Sequence, residues 1–154
     1  AAHDLSLNRE VAIKITHPQI TARDFWREVW LMSRLPHPGI PAVHSAGELA
    51  DGRLYLVMKL VRGKTLEALL RDRATPESGW GPLLAIFERV CQAVGYAHSQ
   101  GIVHRDLKPA NIMVGAFGEV QVMDWGLAEQ LPSPAGASPV TPTGPATPPA
   151  ECVS

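Results

Sequence analysis

The chain has 154 residues, of which 45% are hydrophobic and 19% charged, and its formal net charge is −1 at pH 7. This composition is that of one ordinary globular domain, and the small charge provides no field that would attract nucleic acid or an anionic membrane. No apolar run approaches the roughly 20 residues that cross a bilayer, so we predict no membrane segment. The two cysteines, Cys91 and Cys152, form no disulfide framework, and we therefore expect a reducing, cytoplasmic location.

The N-terminal part of the chain predicts strands followed by one helix. Residues 1–8 resemble the end of a strand and a turn, and residues 10–16 are β-branched and mostly apolar, as in a strand. Thr21 is a candidate N-cap for a helix, because short hydroxyl side chains accept hydrogen bonds from the first free N–H groups. Apolar residues recur after it at helical spacing and predict one buried face: Phe25, Val29 and Met32.

A hairpin is predicted next. Two prolines end the helix before residue 40. Residues 42–49 and 53–60 have the composition of strands, and Asp51 and Gly52 between them are a strong turn signal. Together with the earlier strands, this hairpin predicts an antiparallel sheet that carries one helix.

The second half of the chain predicts two helices. Gly63 and Lys64 interrupt the strand pattern, and Thr65 is a candidate cap for a short helix at 66–71. After a polar loop, Pro82 fits the first turn of a long helix that ends near Ser99. Gly101 is well placed as the C-terminal cap of that helix. Cys91 lies within the apolar pattern of this helix, which predicts a buried thiol.

Residues 104–126 combine two polar loops around a short hairpin. The first loop is His-Arg-Asp-Leu-Lys-Pro-Ala-Asn at 104–111, and the second begins Asp-Trp-Gly at 124–126. This order resembles the catalytic loop and the metal-binding loop of the protein kinase family, with Trp125 where phenylalanine is usual. Val-Ala-Ile-Lys at 11–14 resembles the third strand of the same family. A lysine at the position of Lys108 resembles the serine/threonine branch of the family more than its tyrosine branch. The chain therefore looks like a bacterial-type serine/threonine protein kinase domain.

The resemblance implies ATP-dependent phosphoryl transfer to serine or threonine hydroxyls of a protein substrate, with ATP and Mg²⁺ as cofactors. Asp106 would orient the hydroxyl and accept its proton, and Lys108 would neutralise charge on the transferred group. Asn111 and Asp124 would hold Mg²⁺, which prefers hard oxygen ligands. Arg105 beside Asp106 implies control by phosphorylation of an activation loop.

The resemblance also implies a nucleotide pocket. Lys14 would hold the α- and β-phosphates and would form an ion pair with Glu28 on the helix. Without the resemblance, Lys14 would be interpreted as a strand lysine that faces solvent, and Glu28 could be a surface acid beside Arg27. The residues implied around adenine are Met58 as the gatekeeper, the backbone groups of Lys59 and Val61, and Met113.

The implied fold is α+β and bilobal: an antiparallel sheet with one helix, then a mainly helical lobe that is incomplete. We assign residues 1–131 to a partial kinase domain, with residues 1–60 as its first lobe and residues 61–131 as the hinge, the long helix and the two polar loops. Residues 132–154 are rich in proline, serine and threonine, which predicts a disordered tail. It is either an inert linker or a target for proline-directed phosphorylation, at Ser133, Ser138, Thr141 and Thr147.

Two family features are missing from the sequence. No G-x-G-x-x-G precedes Val11, and no ordered Ala-Pro-Glu anchor follows the second polar loop, so we expect a domain truncated at both ends. The long helix at 82–99 should then expose an apolar surface, which favours association with a partner or with a second copy. We expect such a chain to be unstable alone and to have little transferase activity. The rival interpretation is a non-catalytic module that binds nucleotide or a partner.

Overall fold

The first 60 residues form an antiparallel sheet with one helix packed on it. The computed structural model describes residues 1–17, 20–73, 75 and 79–132. The four-stranded sheet has the order β1-β2-β4-β3, and all its neighbouring strands are antiparallel. The elements of this region are β1 Ala2–Asp4, β2 Arg9–Ile15, α1 Ala22–Ser33, β3 Val43–Glu48 and β4 Leu54–Lys59.

Helix α1 begins as predicted. The Thr21 side chain accepts a hydrogen bond from the Asp24 N–H at 3.1 Å and so satisfies a free donor of the first turn. The buried face of α1 consists of Phe25, Glu28, Leu31 and Met32. A carboxylate therefore shares the buried face with three apolar side chains, and a buried charge of this kind requires a partner.

The hairpin between β3 and β4 also follows the prediction. Gly52 has φ of +81° and donates its N–H to the Leu49 carbonyl at 2.9 Å. The Asp51 carboxylate accepts the Arg53 N–H at 3.1 Å. The turn residues thus close the hairpin with local hydrogen bonds.

The second region follows a short connector at residues 60–62. It contains a three-stranded sheet of order β5-β7-β8 and a two-stranded sheet of β6 and β9. Its elements are β5 Gly63–Thr65, α2 Leu66–Arg71, α3 Trp80–Ser99, β6 Ile102–Val103, a 3₁₀ turn at Pro109–Asn111, β7 Ile112–Gly115, β8 Val120–Val122 and β9 Glu129–Gln130. The α+β, kinase-like architecture predicted from the sequence is confirmed.

The prediction that Gly63 and Lys64 interrupt the strand was wrong. They belong to β5, whose residues Gly63 and Lys64 pair with Gly115 and Val114 of β7. A Cβ atom on residue 63 would lie 2.0 Å from the Val114 carbonyl oxygen. Residue 63 has to be glycine because the backbone of β7 approaches it too closely to leave room for a side chain.

Helix α3 is buried on one face only. It ends where Gly101, with φ of +70°, donates its N–H to the His98 carbonyl at 2.9 Å, so the predicted cap is confirmed. Cys91 was expected to be buried, but it is exposed. Helical spacing places Cys91 on the outward face, away from the residues of α3 that are buried in the core, which are Ile86, Val90, Ala93 and Ala97.

The outward face of α3 carries large apolar side chains. Trp80, Leu84 and Phe87 are 59%, 62% and 65% exposed, so the expected apolar surface of the long helix is observed. Side chains of α2, α3 and the loop before β7 line an open groove of about 370 Å³, which we call the α2–α3 groove. No helix among residues 1–17, 20–73, 75 and 79–132 is long and apolar enough to cross a membrane.

One apolar core connects the two regions. It includes Leu56 of the first sheet, Val122 of β8 and Trp125, each 0% exposed. The Val122 N–H donates to the Gly39 carbonyl at 2.8 Å, and the Gln121 side chain donates to the Pro38 carbonyl at 3.0 Å. The loop after α1 is therefore fixed to the β7–β8 hairpin. The predicted tail, apart from its first residue, lies outside the described residues, as do the four Ser/Thr-Pro positions.

Candidate functional site

Lys14 and Glu28 face each other between the first sheet and its helix. The Lys14 Nζ lies 2.6 Å from Glu28 Oε1, so the expected ion pair is present. The side chain of Glu28 is 9% exposed and that of Lys14 is 35% exposed. The buried carboxylate of α1 thus has its partner, and neither the solvent-facing lysine nor the surface acid paired with Arg27 describes the structure.

Asp124 completes this group from the second region. Its Oδ1 lies 3.4 Å from the Lys14 Nζ, although the two residues are 110 positions apart in the chain. Asp124 has φ of +57°, a left-handed conformation that is unfavourable for most side chains and clusters at functional sites. One ammonium group therefore lies between two carboxylates, one buried and one 55% exposed.

Asp106, Lys108 and Asn111 form a second group in the first polar loop. The Lys108 Nζ donates to Asp106 Oδ2 at 2.7 Å, and the Asn111 side-chain amide donates to the same oxygen at 2.9 Å. The hydrogen bond from Lys108, and after it that from Asn111, lowers the pKa of Asp106, while Asp106 raises the pKa of Lys108. Asp106 is therefore a carboxylate at neutral pH, with Oδ1 not hydrogen-bonded to any side chain or backbone group of the described residues.

His104 joins the two polar loops. Its Nδ1 accepts the Asp106 N–H at 3.2 Å, so its Nε2 carries the proton and donates to the Met123 carbonyl at 2.9 Å. The Met123 N–H in turn donates to the Asn111 carbonyl at 2.7 Å. The loop that holds Asp106 is thus tied to the residue that precedes Asp124.

Trp125 fits into the core despite its size. It is 0% exposed, and its ring meets the His104 ring edge-on, with 4.6 Å between centroids. The indole N–H donates to the Val122 carbonyl at 3.0 Å. The pocket is therefore wide enough for tryptophan, and it contains an acceptor that phenylalanine would leave unused.

The residues implied around adenine lie where the two regions meet. Met58 and Lys59 end β4, and the Lys59 N–H is already donated to the Ala42 carbonyl at 2.9 Å. Val61 lies in the connector. Met113 of β7 is paired with Thr65 of β5. The contacts of these residues with a base remain a prediction.

The polar side chains fit a magnesium ion held with a nucleotide. No group of three or more His, Cys, Asp or Glu that could hold a metal occurs within the part of the chain that the structure describes. Mg²⁺ at phosphates commonly takes only one or two protein carboxylates, with phosphate and water oxygens as the remaining ligands. The half-exposed Asp124 carboxylate and the Asn111 amide oxygen suit that arrangement, because the amide nitrogen of Asn111 is already engaged by Asp106.

Two arginine contacts were not foreseen from the sequence. The Arg27 guanidinium donates to the Ala128 carbonyl, and the Arg105 guanidinium forms an ion pair with Glu129. Neither contact follows a local spacing, since each joins residues more than 20 positions apart. The turn that brings the chain back to these arginines runs from Trp125 to Ala128 and contains Gly126, a residue type that favours turns.

The sheet with its single helix, the Lys14–Glu28 pair and the two polar loops beneath them define a protein kinase fold. The protein kinase domain family matches residues 1–146, and the chain belongs to this family.

Similar proteins include the serine/threonine-protein kinase PknD of Protochlamydia amoebophila, which is 40% identical over 144 residues, and PknD of Chlamydia trachomatis serovar L2b, which is 36% identical over 142 residues. PknD of Chlamydia felis is 35% identical over 141 residues. These alignments cover 83%, 82% and 82% of this chain, but only 14%, 15% and 15% of the relatives. The chain thus spans about one seventh of the length of the proteins that it resembles.

Proposed function

We propose that the chain is part of a protein serine/threonine kinase that transfers the γ-phosphoryl group of ATP to a hydroxyl group of a protein. The observation that carries this proposal is the position of the Lys14 Nζ, 2.6 Å from Glu28 and 3.4 Å from Asp124. An ammonium held by a buried acid, beside a carboxylate that suits a metal, is the charge arrangement that a bound triphosphate requires. The relatives named above as serine/threonine-protein kinases support the hydroxyl acceptor.

Lys14 would bind the α- and β-phosphates, and Glu28 would keep the Lys14 side chain directed into the cleft. Asp124 and Asn111 would hold Mg²⁺, which supplies charge neutralisation at the phosphates when it is bound. Met58, the backbone of Lys59 and Val61, and Met113 would enclose adenine. Phosphoryl transfer depends mainly on positioning and charge, and these residues provide both.

Asp106 would orient the attacking hydroxyl. Its Oδ2 is held by Lys108 and Asn111, while its Oδ1 makes no hydrogen bond to another described residue, so one oxygen is fixed and the other can accept from the substrate. The lowered pKa keeps Asp106 ionised, which favours acceptance of a hydrogen bond from the hydroxyl before its proton leaves. Lys108 lies beside the same carboxylate and would neutralise charge on the group in transfer.

A protein substrate and a cytoplasmic location belong to the same proposal. Cys91 is a free thiol, which is usual for proteins of reducing compartments. The net charge of −1 gives no reason to expect a nucleic-acid partner.

The first test is ligand-dependent thermal stability. At about 100 times its Kd, a ligand that binds only the folded state adds about 2.7 kcal/mol of stability, so ATP with Mg²⁺ should raise the Tm by several degrees. Asp124→Asn should remove the Mg²⁺-dependent part of the shift. Asp51→Asn, which changes a carboxylate in the hairpin turn and keeps a good turn residue, should leave the shift unchanged.

The second test is transfer itself. The protein expressed from its complete reading frame should transfer labelled phosphate from ATP to serine or threonine of a generic acceptor such as casein. Asp106→Asn should abolish this transfer and leave the thermal shift with ATP and Mg²⁺ intact. A thermal shift without any transfer by the unaltered protein would instead support the non-catalytic, nucleotide-binding alternative.

A further inference from the structure

Arg105 has a strained backbone directly before Asp106. Its φ is +67°, in the left-handed region that non-glycine residues avoid. Such a conformation persists only where the surrounding structure holds it. Because this conformation lies directly before Asp106, a group that holds Arg105 in it contributes to the position of Asp106.

Glu129 is the group that holds the Arg105 side chain. The two side chains form an ion pair, and they are 57% and 52% exposed. The backbones approach each other just before this contact, because β6 pairs with β9 through Ile102 with Gln130 and Val103 with Glu129. The ion pair thus extends a short two-stranded ladder towards the catalytic loop.

The residue before Glu129 contacts the other half of the site. The Ala128 carbonyl accepts a hydrogen bond from the Arg27 guanidinium, and Arg27 directly precedes Glu28 on α1. Ala128 is 1% exposed, and its N–H donates to the Trp125 carbonyl at 2.9 Å. Two adjacent residues, Ala128 and Glu129, are therefore bound to the arginines that flank Glu28 and Asp106.

We propose that Glu129 is a positioning residue for phosphoryl transfer, which acts through Arg105 to hold Asp106 in place. This inference rests on the proposed function. It also gives Arg105 an anionic partner within the described part of the chain, so that Arg105 does not depend on a phosphoryl group on another segment. The carboxylate of Glu129, at the end of the β6–β9 ladder, is that partner without phosphorylation.

The test compares Glu129→Gln, Glu129→Asp and the charge-exchanged variant that combines Arg105→Glu with Glu129→Arg. Asp51→Asn serves as the matched control, because Asp51 and Arg53 form an ion pair of similar exposure, 52% and 50%, far from the catalytic loop. Hydrogen–deuterium exchange of the peptide 102–111 is measured in each variant, with the β1–β2 hairpin as an internal reference, because none of the substitutions lies in it.

Glu129→Gln should raise exchange in the catalytic loop about three- to fivefold, the upper part of the range expected for loss of an exposed ion pair. Exchange in the β1–β2 hairpin should not change. Glu129→Asp and the charge-exchanged variant should restore slow exchange to within about twofold of the unaltered protein. In the protein from the complete reading frame, Glu129→Gln should lower kcat by a similar factor and leave the KM for ATP unchanged.

The proposal is overturned if Glu129→Gln leaves the exchange of residues 102–111 unaltered, or raises it equally in the reference hairpin. It is also overturned if Glu129→Asp raises the exchange of residues 102–111 as much as Glu129→Gln does, because a carboxylate at residue 129 would then not hold Arg105. Failure of ATP and Mg²⁺ to shift the Tm of the unaltered protein would contradict the proposed function alone, since hydrogen exchange does not require a nucleotide.

Discussion

Replacement of Lys14 by methionine should cost more stability than replacement of its partner Glu28 by glutamine. The ion pair spans 2.6 Å, for which Coulomb's law gives about 6 kcal/mol at an effective dielectric constant of 20. Desolvation of Glu28 and solvent screening of the 35% exposed Lys14 side chain offset most of this energy. We expect a net loss of about 1–2 kcal/mol for Lys14→Met, because it leaves a buried carboxylate without a partner.

The two partners differ because they are not equally buried. After Glu28→Gln, Lys14 retains water and the Asp124 carboxylate at 3.4 Å, so the loss should be smaller. The double variant should recover most of the loss of Lys14→Met, since no buried charge remains. In a domain of this size, Lys14→Met should lower the Tm by about 3–8 °C, and all three variants should lose the thermal shift caused by ATP with Mg²⁺.

Thermal unfolding followed by circular dichroism measures the stabilities, and denaturant titration checks that the slope of the transition is unchanged. Equal losses for Lys14→Met and Glu28→Gln would show that burial of the carboxylate does not control the stability of the pair. A double variant as unstable as the sum of the single variants would refute the reasoning in the same way, because it would show no coupling between the two sites.

Three further predictions concern the catalytic loop, the core and the outward face of α3. Lys108→Met should raise the pKa of Asp106, and NMR titration of the carboxyl carbon measures this change. Because the pairing lowers the pKa of Asp106 in the folded state, the stability that Lys108 adds should be present at pH 7. It should disappear as the pH falls through that pKa. Trp125→Phe should destabilise the protein by about 1–3 kcal/mol in denaturant titration, although phenylalanine is usual here, because the Val122 carbonyl loses its donor and a cavity remains. Phe87→Glu should reduce light scattering of the concentrated protein, because the exposed apolar face of α3 favours association. It should change the Tm by less than about 2 °C, because the 65% exposed ring adds little to the core. Unchanged scattering would show that the outward face of α3 does not drive association.

Local signals in the sequence predicted most of the elements. The caps at Thr21 and Thr65 and the glycines at 52 and 101 act within one turn of chain, so their residue types identify them directly. The Lys14–Glu28 contact was predicted through the family resemblance. Nothing in the spacing of two residues on different elements would have paired them.

The features that the sequence did not predict depend on contacts between distant segments. Apolar residues lie on more than one face of α3, and their spacing does not show which face packs against the core. Cys91 was therefore predicted to be buried, although it lies on the exposed face. Gly63 was interpreted as a break in the strand. The group that excludes a side chain there, the Val114 carbonyl, lies some 50 positions away in the sequence. The pairing of Arg105 with Glu129 also requires β6 and β9 to meet first.

The close contact of Gly63 with β7 limits where the molecule can bend. Strand β5 is paired in register with β7 of the catalytic hairpin, so Gly63, Lys64 and Thr65 are expected to move with that hairpin. Strand β4, which ends at Lys59, moves with the first sheet in the same way. The loop at Pro38 and Gly39 is bound to β8. A rotation that opens or closes the cleft would therefore have to change backbone torsions at residues 60–62 and in the segments that join this loop to α1 and β3. The exposed ion pair between Arg62 and Glu10 joins this connector to β2 of the first sheet, so bending at residues 60–62 would change the geometry of that pair.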